Sequence, residues 1–132
     1  MAAELNRGIA RRLWDAIANA DEAQLRAVIA SKAVWRMYGR SPLAGTHTGI
    51  DAIIGFLARV GELADELESS LIEIFSNDRG AVIRYSIHAR RGERLLDTEH
   101  LFMIRIQETR IVEAVFAPLD QALYDEFWLT SR

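Results

Sequence analysis

Residues 67–117 read LESSLIEIFSNDRGAVIRYSIHARRGERLLDTEHLFMIRIQETRIVEAVFA. Over this stretch apolar residues alternate with polar ones, the period of two that sends successive side chains to opposite faces of a strand. Asn77-Asp78-Arg79-Gly80 and Arg91-Gly92 interrupt the alternation with turn residues. The pattern predicts strands over about 67–76, 80–90, 93–107 and 110–117, joined by tight hairpins and so antiparallel to one another.

Upstream the period is helical. Leu5, Ile9, Leu13, Ala16, Ile17 and Ala20 predict an amphipathic helix over about 4–19. Asp21, with Gln24 three positions on, opens a second, short helix whose apolar face is Leu25, Val28 and Ile29. Val34 to Tyr38 is β-branched and aromatic enough for a short strand, followed by a loop over 39–45. Ile50, Ile53, Ile54, Leu57, Val60 and Ala64 return to the helical period, predicting a third helix over about 49–64 with Thr48 as its cap. A last short helix is expected after Pro118, with Leu119, Leu123 and Phe127 on one side and Tyr124 and Trp128 beside them. The order is that of an α+β fold: helices gathered on one face of a curved antiparallel sheet, which encloses a pocket.

At 132 residues the chain is read as one domain, 1–132. That length buries roughly two-thirds of the surface its unfolded form exposes, so no metal or disulfide is needed for stability. There is no cysteine, which excludes disulfides, thiol nucleophiles and Cys-ligated metal sites. Sixteen basic residues against 19 acidic ones give no excess to hold a phosphate backbone, and nucleic acid is not expected as a partner. The apolar positions of the first twenty residues are broken by Arg7, Arg11, Arg12 and Asp15, and no stretch approaches a membrane span. A cytoplasmic protein without membrane contact is the expectation.

Three features occur together and in order: Ala33-Val34-Trp35, the loop Ser41-Pro42-Leu43-Ala44-Gly45-Thr46-His47-Thr48-Gly49, and the ending Asp120-x4-Asp125-x-Phe127-Trp128. With them the chain resembles the NTF2-like superfamily, in its SnoaL-like branch related to polyketide cyclases and ketosteroid isomerases. The resemblance runs from about Asn6 to Trp128 and implies a cone-shaped α+β barrel of the NTF2-like or cystatin-like kind. That fold serves isomerases, dehydratases, epoxide hydrolases, aldol cyclases and pure binding proteins, so it does not select a reaction.

The resemblance also supplies candidate residues. The isomerases' general-base Asp would fall at about Met37, which cannot take a proton, and their oxyanion-hole acid falls on or next to Phe102. The turn Gln107-Glu108-Thr109-Arg110 stands where relatives commonly show an Asp-Gly-Lys type turn. The SnoaL-type cyclases, which use a His on the long central strand and an Asp entering the C-terminal segment, match at His100 and Asp120. His100 shares a strand face with Phe102 and Ile104, assigned to the pocket interior. As a pair His100 and Asp120 would take a proton next to a carbonyl and return it to a developing alkoxide. Two other readings stay open: Asp120 as a helix N-cap, and His100 as a strand histidine bonded to a backbone carbonyl or water.

Trp14, Trp35, Tyr38, Phe56, Phe102 and Phe116 are the candidate lining of an apolar pocket for a carbonyl-bearing or aromatic ligand, with plain core packing as the alternative for each. His47 is placed near the pocket mouth and His88 on a solvated face with Arg84, Ser86 and Arg90. The histidines show no HxH or HExxH spacing, and neither metal nor cofactor is expected. Leu101 and Met103 alternate with His100 and Phe102 and point to the convex face, where relatives often dimerise sheet to sheet; a homodimer is expected. Two function classes follow: a cofactor-independent cyclase, isomerase or dehydratase, or a non-catalytic binding module of the same fold.

Overall fold

The computed structural model describes residues 2–129. Met1 and residues 130–132, inside the expected domain, lie outside the described residues. The elements in chain order are α1 (Ala2–Ala18), α2 (Glu22–Val28), β1 (Ile29–Met37), β2 (Gly45–Thr48), α3 (Ile50–Leu63), β3 (Glu66–Ser76), β4 (Gly80–Arg91), β5 (Arg94–Gln107), β6 (Arg110–Pro118) and α4 (Gln121–Leu129). They form a mixed α+β fold with a curved, unclosed sheet of six strands in the order β2-β1-β6-β5-β4-β3.

The four long strands pair antiparallel as the tight hairpins between them predict. The β4–β5 ladder is continuous from Gly80↔Arg105 to Arg91↔Arg94, so Ile83, Tyr85 and Ile87 sit opposite Phe102, His100 and Thr98. Gly92 provides the positive φ of that hairpin's tight turn. At the next hairpin Glu108 and Thr109 both have positive φ, a conformation an L side chain adopts under strain and a β-branched one more so.

Three features of the sheet depart from the expectation. β1 pairs parallel with β6, Trp35 lying beside Ala114 and Met37 beside Phe116, so the sheet is mixed and not wholly antiparallel. The segment expected as a loop holds β2, which adds antiparallel to β1 with His47 opposite Trp35. A single four-residue edge strand carries too little alternation to be read locally. The first strand also starts earlier, at Ile29 and not Val34.

Asp21 caps α2 as expected, accepting a hydrogen bond from the Gln24 amide at 3.2 Å. Thr48 does not cap α3. That position belongs to Gly49, which has no side chain to offer. α1 is tied to the β3–β4 end of the sheet: Asn6 Nδ2 donates to the Asn77 carbonyl at 2.9 Å and an Arg7 Nη to that of Ile74 at 2.8 Å. In α4 the buried side is Tyr124, Asp125, Phe127 and Trp128, while Leu119, expected on the apolar side, is exposed. Arg91 fixes two helix ends together. Its guanidinium donates to the carbonyls of Leu63 at the end of α3 and Phe127 in α4, and lies 5.4 Å from the centre of the Trp128 ring. Among the described residues no helix is long and apolar enough to cross a membrane.

Candidate functional site

Between the concave side of the sheet and the helices lies a cavity of about 270 Å³. β4 contributes Ile83, Tyr85 and Ile87, β5 contributes His100 and Phe102, and β6 contributes Phe116. These residues share one face because each pair is two apart in a strand and the ladders are in register. Trp14 comes from α1, Phe56 from α3, and Tyr124 and Trp128 from α4. Met37, at the end of β1, also lines the cavity. The lining is apolar apart from Ser69, the tyrosine hydroxyls, the indole N–H groups and one imidazole.

That imidazole, His100, is 1% exposed. Nδ1 is 2.9 Å from the carbonyl oxygen of Glu99. A carbonyl only accepts, so Nδ1 carries the proton and donates it, leaving Nε2 with a lone pair. Nε2 is buried and has no hydrogen-bond partner. Aromatic edges and faces surround the ring: Phe116 at 4.7 Å, Tyr124 at 5.3 Å and Tyr85 at 5.6 Å between centroids. Burial therefore pushes the His100 pKa down to about 4, against the weaker opposite pull of the Glu99 carbonyl. The phenols move the other way. Burial raises Tyr85, helped by Tyr124, and raises Tyr124, helped by Asp125. Near neutral pH the cavity thus holds a neutral imidazole and two neutral phenols.

Of the residues expected at the site, His100, Trp14, Phe56, Phe102 and Phe116 are brought together around the cavity. The other three are not. Asp120 is exposed and its carboxylate accepts from the Leu123 amide at 3.0 Å, the N-cap of α4. His100 hydrogen-bonds to Glu99 instead, so the His100–Asp120 hydrogen bond is not formed. Trp35 is 0% exposed and packs edge-on against Phe102 at 5.2 Å, as core behind the wall and not as lining. Tyr38 follows the last residue of β1 and is 60% exposed. The alternation Ala33, Trp35, Met37 takes Tyr38 off the inner face.

Tyr85, Tyr124 and Trp128 are lining residues that the sequence reading did not single out. Tyr85 was legible, since it alternates with Ile83 and Ile87. Tyr124 and Trp128 are four apart and share a helix face. His47 lies on β2 against Phe56, 4.3 Å between rings. His88 is outside the cavity, where Asp97, 2.6 Å away, raises its pKa. No cluster of three or more metal-ligating side chains occurs among the described residues.

Fold and cavity together define a small α+β protein of the NTF2-like and cystatin-like class, a fold that commonly binds small ligands and forms dimers. The chain belongs to the family of the SnoaL-like domain, whose profile matches residues 10–114. An uncharacterised protein of Mycobacterium tuberculosis is 28% identical over 122 residues, covering 91% of this chain and 93% of that one. Bal32a, from a soil-derived mobile gene cassette, superposes with a TM-score of 0.91 at 27% identity, covering 97% of this chain and 99% of its own. A putative SnoaL-like polyketide cyclase from Jannaschia sp. CCS1 shares the fold, with a TM-score of 0.80 at 13% identity over 98% of this chain and 94% of the other.

Proposed function

We propose that the cavity holds a small, hydrophobic, carbonyl-bearing compound and that His100 is the group that exchanges a proton with it, in a cofactor-independent cyclisation, isomerisation or dehydration. The observation that carries this reading is the buried, unpartnered Nε2 of His100 in an apolar cavity. A lone pair so placed accepts a proton from a bound ligand, and a neutral phenol of Tyr85 or Tyr124 is the available donor to a carbonyl oxygen. Asp120 has a structural role in this scheme, as the cap of α4. Cytoplasmic location belongs to the same reading.

The test is a crystal structure after soaking with a mixture of small aromatic and polycyclic ketones, followed by turnover assays on whichever ketone is held. A ligand C–H next to the carbonyl within reach of His100 Nε2 is expected, the carbonyl oxygen lying toward a phenol of Tyr85 or Tyr124, with turnover lost in His100→Asn and kept in Asp120→Ala. Asp120→Ala is expected to cost only about 1 kcal/mol of stability, the loss of one N-cap. Activity that disappears with Asp120 in a folded variant, or ligand density away from the cavity, overturns the assignment. A binding module without turnover is the second reading, favoured by the low pKa of His100, which makes it a weak base near neutral pH. A ketone held in the cavity but returned unchanged decides for it.

We further propose a homodimer through the convex face. Phe75, Val82, Met103 and Val115 are aligned across β3, β4, β5 and β6, with Leu101 and Ala117 in the adjacent row. Met103 is 41% exposed, and this apolar band lies open to water in a single chain. Light scattering is expected to give twice the chain mass, and Met103→Glu to give the single-chain mass. A wild-type monomer at micromolar concentration removes this proposal.

A further inference from the structure

The polar atoms of the cavity specify more than hydrophobicity. Nδ1 of His100 is committed to the Glu99 carbonyl, so Nε2 offers a lone pair and no proton. At that atom it repels any ligand oxygen that can only accept, which is left to the Tyr85 and Tyr124 hydroxyls and the unpartnered Trp128 indole N–H. Among the described residues no Asp, Glu, Lys or Arg lines the cavity, so it has no fixed charge to balance an ionised ligand. Arg91 packs on the Trp128 ring but is not part of the lining, and its donors reach the carbonyls of Leu63 and Phe127. Stripping an anion of water here without a counter-charge is costly, and the lone pair of Nε2 adds to the repulsion.

We propose that the cavity selects neutral hydroxylated aromatic compounds, phenols or enols, whose O–H donates to Nε2 of His100, and that it discriminates against their ethers and against carboxylates of the same size. This rests on the reading of the cavity as a ligand site and adds the hydrogen-bonding class of the ligand. The cavity volume of about 270 Å³ sits at the small end of ligand sites and suits a bicyclic ring system. The depressed pKa of His100 agrees, since an imidazole that stays neutral keeps its lone pair available. The aromatic rings on three sides of it are the flat walls such a ligand needs.

The experiment titrates the full chain near neutral pH with naphthalene, 2-naphthol, 2-methoxynaphthalene and 2-naphthoate, read by the fluorescence of Trp14 and Trp128, both in the lining. 2-Naphthol is expected to bind about tenfold more tightly than 2-methoxynaphthalene, the factor one net hydrogen bond supplies, with the carboxylate weakest. In His100→Phe the ratio is expected to fall to about one while the ether binds as before. The wild-type series decides even where that variant does not fold. Equal affinity for the naphthol and its ether overturns the donor requirement, and naphthoate binding as tightly as naphthol overturns the selection against charge. Failure of all four, naphthalene included, overturns the ligand-site reading itself and this proposal with it.

Discussion

Trp35→Ala is expected to lower the unfolding free energy by about 4 kcal/mol, the usual cost of emptying a large aromatic site in a packed core. Trp35 is fully buried on β1, between the edge strand β2 and the parallel neighbour β6, and meets Phe102 edge-on. Its indole N–H has no hydrogen-bond partner, so the loss is one of packing and transfer, with no broken hydrogen bond to add. The void opens behind Phe102, a wall of the cavity, and the ring that fixes that wall is gone. Urea unfolding of wild type and variant under the same conditions measures the difference. A loss below about 1 kcal/mol, the range of exposed sites, shows that Trp35 is not core. Tyr38, a neighbour in sequence but exposed, belongs in that lower range.

The second large effect is a dependence on acid. In the unfolded chain His100 takes up a proton near its ordinary value of 6.5, whereas in the folded chain it resists protonation down to about 4. Between those values the unfolded state binds more protons, so stability is full above about pH 6.5, falls as pH drops, and levels off below about pH 4. At 1.36 kcal/mol for each unit of difference, the loss contributed by His100 is about 3 kcal/mol. His100→Asn leaves an amide that donates to the Glu99 carbonyl and does not titrate. The expected result is that the stability gap between wild type and this variant shifts by that amount, against wild type, between neutral pH and pH near 4. His88 acts with the opposite sign. Its pKa is raised by Asp97, so its contribution is present in acid and is lost as pH rises through that raised value. The comparison cancels it because both proteins keep His88. A gap that does not move with pH places the His100 imidazole in contact with water.

The same two residues show how far local sequence reading extends. His100 was legible because alternation is a local property: in Glu99-His100-Leu101-Phe102 the faces are assigned by counting in twos, and the structure puts His100 and Phe102 on the cavity wall. Trp35 lies on an inward face too, yet the sequence alone places it in the cavity as readily as behind it. Depth depends on which strands become neighbours, and for Trp35 one of them is β6, nearly eighty positions away in the chain. Asp120 presents the opposite case. Its sequence context fitted both a cap and a proton carrier, and the choice follows from the geometry at the start of α4, where the carboxylate is turned to the Leu123 amide.

By itself the sequence determined the α+β class, the four long antiparallel strands, the helical stretches and the inner face of β5, because periodicities of two and about 3.6 are written into neighbouring residues. The family resemblance was legible as well, and the profile match over residues 10–114 agrees with it. Tertiary structure alone decided the parallel β1–β6 pairing, the short strand β2 and the recruitment of Tyr124 and Trp128 to the cavity. Each of these depends on residues far apart in the chain meeting in register, and burial, which sets the protonation of His100, exists only once they have met.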